Sequence, residues 1–179
     1  MPSSPPTVSV RLSSSYRLEG LDRLVRDLSP ILELDRPARV RIDMSGLVSM
    51  SPAAIALLVA AAKRIQNEGL NDAGSEVVPP VSRSAMQYLQ RMDVFRHLVG
   101  DALPESFQRR PPHGFRPCIP FSTDDECHAC ARQLRDVVTE ACETDSVGAS
   151  SVHICLDELC ENVMHHADTQ HGGFAVAQA

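Results

Sequence analysis

The sequence predicts an α/β protein in two units, and three observations carry that prediction. Through residues 7–99, short stretches of alternating apolar and polar side chains take turns with stretches whose apolar residues recur every three or four positions. These are the periods of strand and helix, and their alternation implies layered α/β packing. Formal charge also changes sign along the chain, from a net +3 over residues 1–117 to a net −9 over residues 118–179, as expected of two units with different surfaces. Finally, Pro104, Pro111, Pro112, Pro117 and Pro120 crowd residues 101–120. Proline opposes both helix and central strand, so this segment is expected to be a semi-stiff linker between units at 1–100 and 121–179.

Taken in order, Thr7-Val-Ser-Val-Arg-Leu12 alternates and reads as a strand. Leu18, Leu21, Leu24, Val25, Leu28, Ile31 and Leu32 step at helical spacing, with a break expected near Pro30. Arg39 to Met44 alternates again and runs into Ser45-Gly46. Ser51-Pro52 opens the next helix, serine as N-cap and proline at the first position. Ile55, Leu58, Val59, Ala62 and Ile65 give this helix its apolar face, and Gly69 is placed to end it. A short strand at Glu76–Val78 and a helix from Ser84 to Met92 follow, then Val94 and Phe95.

Beyond the linker, Thr123-Asp-Asp-Glu126 forms a capping box with acidic residues at the positive end of a helix. Cys127, Ala131, Leu134, Val138 and Ala141 form its inner face, and a break is expected from Asp145 to Ser151. From Ile154 to Ala167, Leu156, Leu159, Cys160, Val163, Met164 and Ala167 form an apolar stripe, while Glu158, Glu161, Asn162, His165 and His166 gather on the other side. Glu158 and Asn162 stand one turn apart, about 6 Å along the axis. A carboxylate so placed can polarise a water, and the amide oxygen beside it can ligate a hard cation such as Mg2+. Gly172-Gly173 and Phe174–Ala177 read as a turn and a strand.

The six cysteines, Cys118, Cys127, Cys130, Cys142, Cys155 and Cys160, all lie in the acidic half. Cys127-His-Ala-Cys130 lacks a second pair at matching spacing for zinc, and Ala131 stands where a haem attachment needs histidine. No thioredoxin-like strand precedes it. The cysteines are therefore read as reduced thiols, with Cys127, Cys142, Cys155 and Cys160 packing as small hydrophobes. A metal site on His165, His166, His171 and the cysteines is disfavoured, because adjacent helical histidines point about 100° apart. The acidic half lacks the clustered Lys and Arg that phosphate contacts of a nucleic acid require. No run approaches the ~20 apolar residues of a membrane span, and the N-terminus lacks the pattern of a signal peptide, so a cytoplasmic location is expected.

The run Glu158-Leu-Cys-Glu-Asn162-Val-Met-His-His166-Ala resembles the N-box of the GHKL ATPases, the group that includes histidine kinases and anti-sigma serine kinases. The resemblance spans Pro120 to the end. It implies Glu158 as general base, Asn162 as the Mg2+ ligand against nucleotide phosphates, and His166 at a nucleotide-site position. It implies ATP and Mg2+ as cofactors, and a serine- or histidine-kinase-like ATPase activity. The glycine-rich motifs that complete such a site, including Asp-x-Gly-x-Gly, do not occur before Ala179. A partial, truncated GHKL α/β sandwich is therefore expected, inactive as this chain.

Val40-Arg-Ile-Asp-Met-Ser-Gly46, with the turn and helix after it, is similar to a STAS domain, the fold of anti-sigma factor antagonists. That resemblance covers about residues 7–99. It implies a protein-docking unit and a regulatory partner of the sigma/anti-sigma type, with a homodimer left open. The chain departs from the pattern at Met50-Ser51-Pro52-Ala53-Ala54, where Ala53 takes the place of the phosphorylated serine. The unit is thus expected to be silent to that phosphorylation. A non-catalytic scaffold protein is the alternative reading.

Overall fold

The structure is a computed structural model that describes residues 5–99, 114–166 and 172–178. It is an α/β protein whose chain divides into two units, residues 1–107 and 108–179.

In the first unit, β1 (Thr7–Arg11), β3 (Arg39–Asp43) and β5 (Glu76–Val78) form a parallel sheet with β3 in the centre. Val10, Val40 and Ile42 are buried on one face, while Arg39, Arg41 and Asp43 stand on the other. The buried face meets the apolar faces of α1 (Leu21–Leu32) and α2 (Pro52–Asn67), which supply Leu24, Leu28, Ile31, Ile55, Leu58 and Val59. Parallel strands need such crossovers, and the α1 and α2 segments provide them. On the open face, ion pairs from Arg39 to Asp72 and from Arg41 to Glu76 link neighbouring strand ends. A second, two-stranded parallel pair joins β2 (Ser15–Tyr16) to β4 (Ser49–Met50). Two short helices, α3 (Arg83–Arg91) and α4 (Val94–Val99), close the unit, with Leu89, Met92, Val94 and Phe95 buried.

Helix α2 organises its neighbours. Ser51 caps it, its hydroxyl accepting the Ala54 amide at 3.3 Å, with Pro52 at the first position. Its far end closes as a Schellman motif: Leu70 N–H donates to Ile65 at 2.8 Å, Gly69 N–H to Gln66 at 3.2 Å, and Gly69 takes the required positive φ of 66°. Arg64 reaches across to the end of α1, donating to the last helical carbonyl, Leu32, at 2.7 Å and to Leu34 just beyond it at 3.1 Å. A cation there meets both the orphan carbonyls and the negative helix end.

The expected break near Pro30 does not occur; α1 passes through it and ends at Leu32. Proline cannot donate to the Arg26 carbonyl, and the Ser29 hydroxyl does so instead at 3.0 Å.

The second unit holds an antiparallel pair, β6 (Phe115–Phe121) and β7 (Gly173–Gln178), packed on α5 (Asp124–Cys142) and α6 (Ser146–His166). Strand β6 corrects the expectation that residues 115–120 belong to a linker; residues 101–113 lie outside the described residues. Proline is tolerated because the register shifts between Arg116 and Ile119, so Pro117 sits in an irregularity. Among the described residues β6 pairs only with β7, and an edge strand absorbs the missing donor of Pro120. The core joins Phe121, Cys127, Cys130, Ala131, Leu134 and Cys160, flanked by Ile119, Leu156, Met164, Ala175 and Ala177. On α5, Val137 is buried where Val138 is only half-buried and Ala141 is exposed.

Helix α6 begins eight residues before Ile154, so the expected break shrinks to Glu143–Asp145. Asp145 caps α6, its carboxylate accepting the Gly148 amide at 2.8 Å. Ser150 and Ser151 fit the helix by donating to the carbonyls of Ser146 and Val147, at 3.0 and 3.1 Å.

Candidate functional site

The three residues expected to form the site, Glu158, Asn162 and His166, are all exposed on α6. At four-residue steps of about 100° per residue they drift only about 80° around the axis, so they line one stripe. The opposite side of the helix carries Leu156, Cys160 and Met164 into the core. Among the described residues no hydrogen bond joins the three.

The apolar stripe expected on this helix is narrower than the sequence implies. Cys160 is buried and Leu156 and Met164 partly so, but Leu159 is 61 % and Val163 39 % exposed. Ala167 lies outside the described residues, as does His171. Val147 and Ile154 are exposed as well, at 71 % and 62 %, so the face that bears Glu158 and Asn162 also carries uncovered apolar side chains.

The helix α5 cap holds as expected at Thr123, whose hydroxyl accepts the Glu126 amide at 3.3 Å. The return bond differs: the Glu126 carboxylate accepts the amide and hydroxyl of Ser122, at 2.7 and 2.8 Å, one residue before the cap. Those donors hold the Glu126 carboxyl below its usual range.

The thiols separate by burial. Cys118, Cys127, Cys130 and Cys160 are buried, while Cys142 and Cys155 are exposed, which corrects the expectation that these two pack as hydrophobes. The core seam of α5 and α6 follows the stripe through Cys127, Cys130 and Cys160 and leaves the other two on its outer sides. Cys127, Cys130 and Cys160 lie together in the core at that seam, close enough to perturb one another. The Cys160 thiol is thereby held below its ordinary range and Cys130 above it. Burial first, then Cys160, pushes Cys127 up to about 11.

One constellation was not legible in the sequence. His128 Nδ1 meets Asp157 Oδ1 at 2.8 Å, and Glu161 stands one turn along α6 from Asp157. One donor atom from each of His128, Asp157 and Glu161 lies within 4.8 Å of the other two. The hydrogen bond that His128 donates to Asp157, then the charges of Asp157 and Glu161, raise the His128 pKa. The Asp157/Glu161 spacing was the one available signal. Its partner is 29 residues earlier than Asp157, and only the packing of α5 on α6 pairs them.

In the first unit, Asp43 ends β3 by accepting the Ser45 amide at 2.9 Å, and the Ser45 hydroxyl and amide hold its carboxyl below the usual range. This turn leads through β4 to the capped start of α2, where Ala53 offers no hydroxyl. Among the described residues, no helix is long and apolar enough to cross a membrane.

Comparison of the chain with protein-family models, with curated proteins and with solved structures found no match.

Proposed function

We propose that this chain is a cytoplasmic regulatory protein of the anti-sigma, histidine-kinase-like type. Its first unit docks a protein partner; its second carries Glu158 and Asn162, which in a completed nucleotide site would face Mg2+ and the phosphates of ATP, with His166 beside them. The observation that supports this reading is the stripe of Glu158, Asn162 and His166, exposed together on α6 and backed by a packed core. A carboxylate and an amide one turn apart suit water activation and Mg2+ ligation, and an acidic unit needs the metal to admit a triphosphate. The first unit contributes a capped helix start with Ser51 occupied in capping and Ala53 inert, which suits constitutive docking. Binding of Mg2+–ATP, measured by calorimetry on the full-length protein, tests the reading. Asn162→Ala should abolish that binding while leaving the helical signal intact, and unchanged affinity would refute the assigned roles.

A second reading, an interaction protein without turnover, is favoured by the exposed Val147, Ile154 and Leu159 on the same helix. Apolar side chains at such exposure suit a protein contact more than a phosphate site. Under that reading the wild-type chain binds its partner and no nucleotide.

A further inference from the structure

We propose that His128, Asp157 and Glu161 form a binding site for a divalent transition-metal ion, with Zn2+ the ion that suits it best. The site is independent of the nucleotide reading, which uses the neighbouring stripe of α6.

The geometry supplies the first argument. Three donor atoms, one imidazole nitrogen and two carboxylate oxygens, lie no more than 4.8 Å from one another. A tetrahedral ion with bonds of about 2.1 Å sets its ligands about 3.4 Å apart. The His128–Asp157 distance of 2.8 Å is shorter than that and the other separations are at most 4.8 Å, so side-chain displacements of up to about 1.4 Å accommodate the ion. The ion takes the place of the shared hydrogen bond.

Placement supplies the second. The donors come from two packed helices, so the site is held by the core seam beneath it, where Cys127, Cys130 and Cys160 are buried. His128 is 41 % and Asp157 26 % exposed, which leaves the donors reachable while withdrawing part of their surface from water. The remaining coordination positions face outward and take water.

Charge and donor chemistry supply the third. Asp157 and Glu161 repel one another at i and i+4 on one helix, a spacing at which like charges destabilise. A divalent ion neutralises both. Arg132 stands one turn beyond His128 on α5, near enough for its charge to be felt by the imidazole. An imidazole with two carboxylates fits Zn2+, Co2+ or Mn2+; Mg2+ prefers oxygen ligands alone.

The test is titration of the full chain, stripped with chelator and kept reduced, with Zn2+ and with Co2+ as its spectroscopic stand-in. The expected result is one ion per chain, with affinity falling at least about tenfold in both His128→Ala and Glu161→Gln. The Co2+ complex should lack an intense sulfur-to-metal charge-transfer band. Glu161→Gln preserves size and helix, so it reports even where His128→Ala loosens the fold, and circular dichroism checks both. Three outcomes would overturn the proposal: no Zn2+ bound at millimolar concentration, undiminished binding in Glu161→Gln, or a sulfur-to-cobalt band that assigns the ion to the buried thiols.

Discussion

Replacing Tyr16 by phenylalanine isolates the polar tie that holds β2 to α1 in the first unit. The Tyr16 ring is fully buried, at 0 % exposure. Its hydroxyl donates to Asp27 on α1 and accepts the Ser13 amide, and the Ser13 hydroxyl donates to the same Asp27 oxygen at 2.9 Å. Phenylalanine keeps the ring and its packing but removes one donor from Asp27 and orphans the Ser13 amide. A hydrogen bond to a charged acceptor is worth roughly 1.5–3 kcal/mol, and Asp27 retains the Ser13 hydroxyl, so the expected loss is about 2 kcal/mol. In a unit of this size that lowers Tm by on the order of 10 °C.

The same residue makes an alkaline prediction. Burial, then the Asp27 hydrogen bond, lifts the phenol from 10.0 to about 12. A folded pKa above the unfolded one means the neutral phenol is favoured by folding. Its contribution is full below the unfolded value and is lost as pH rises through the folded value. The lost stability totals roughly 3 kcal/mol, at about 1.4 kcal/mol per tenfold. Urea unfolding followed by circular dichroism, at neutral pH and through the alkaline window, measures both effects in wild type and Tyr16→Phe. A neutral-pH loss below about 0.5 kcal/mol, with the same alkaline decline in both proteins, would refute the reasoning. The tie matters to the docking reading because the Tyr16 carbonyl accepts the Ser51 amide at 2.8 Å, which fixes where α2 begins.

Gly172 has φ +70°, and a Cβ there would press on the Phe121 carbonyl, so Gly172→Ala should destabilise the second unit by at least about 2 kcal/mol in chemical denaturation. An unchanged midpoint would contradict that backbone geometry. Glu126 has a folded pKa below its unfolded one, so its contribution is present above the unfolded value and lost as pH falls through the folded value; Glu126→Gln should flatten this acidic limb in a stability–pH series. Alkylation of the native protein, read by mass spectrometry, should modify Cys142 and Cys155 rapidly and the four buried cysteines slowly. Equal rates at all six would mean that the α5–α6 seam is open in solution.

Local signals sufficed wherever an element depends on its own residues. The strands at 7–12 and 39–44, the Ser51-Pro52 start, the Gly69 end and the Thr123 cap are each visible as a period or a cap and stand where expected. Misreadings came where a local preference is offset by a particular partner. Pro30 stays in α1 because Ser29 satisfies the carbonyl it leaves, and Pro117 and Pro120 stay in β6 because that strand is irregular and edge-paired. The serine-rich stretch at 146–151 joins α6 because its hydroxyls bond back along the helix.

The sequence by itself determined the α/β class, the division into two units and the stripe of Glu158, Asn162 and His166, because periodicity, charge and four-residue spacing are local properties of the chain. Tertiary structure alone decided which thiols are buried, which apolar residues of α6 remain uncovered, and that His128 faces Asp157 and Glu161. Those depend on how α5 packs on α6, and contacts between residues some thirty positions apart follow from the register of two helices rather than from the spacing within either.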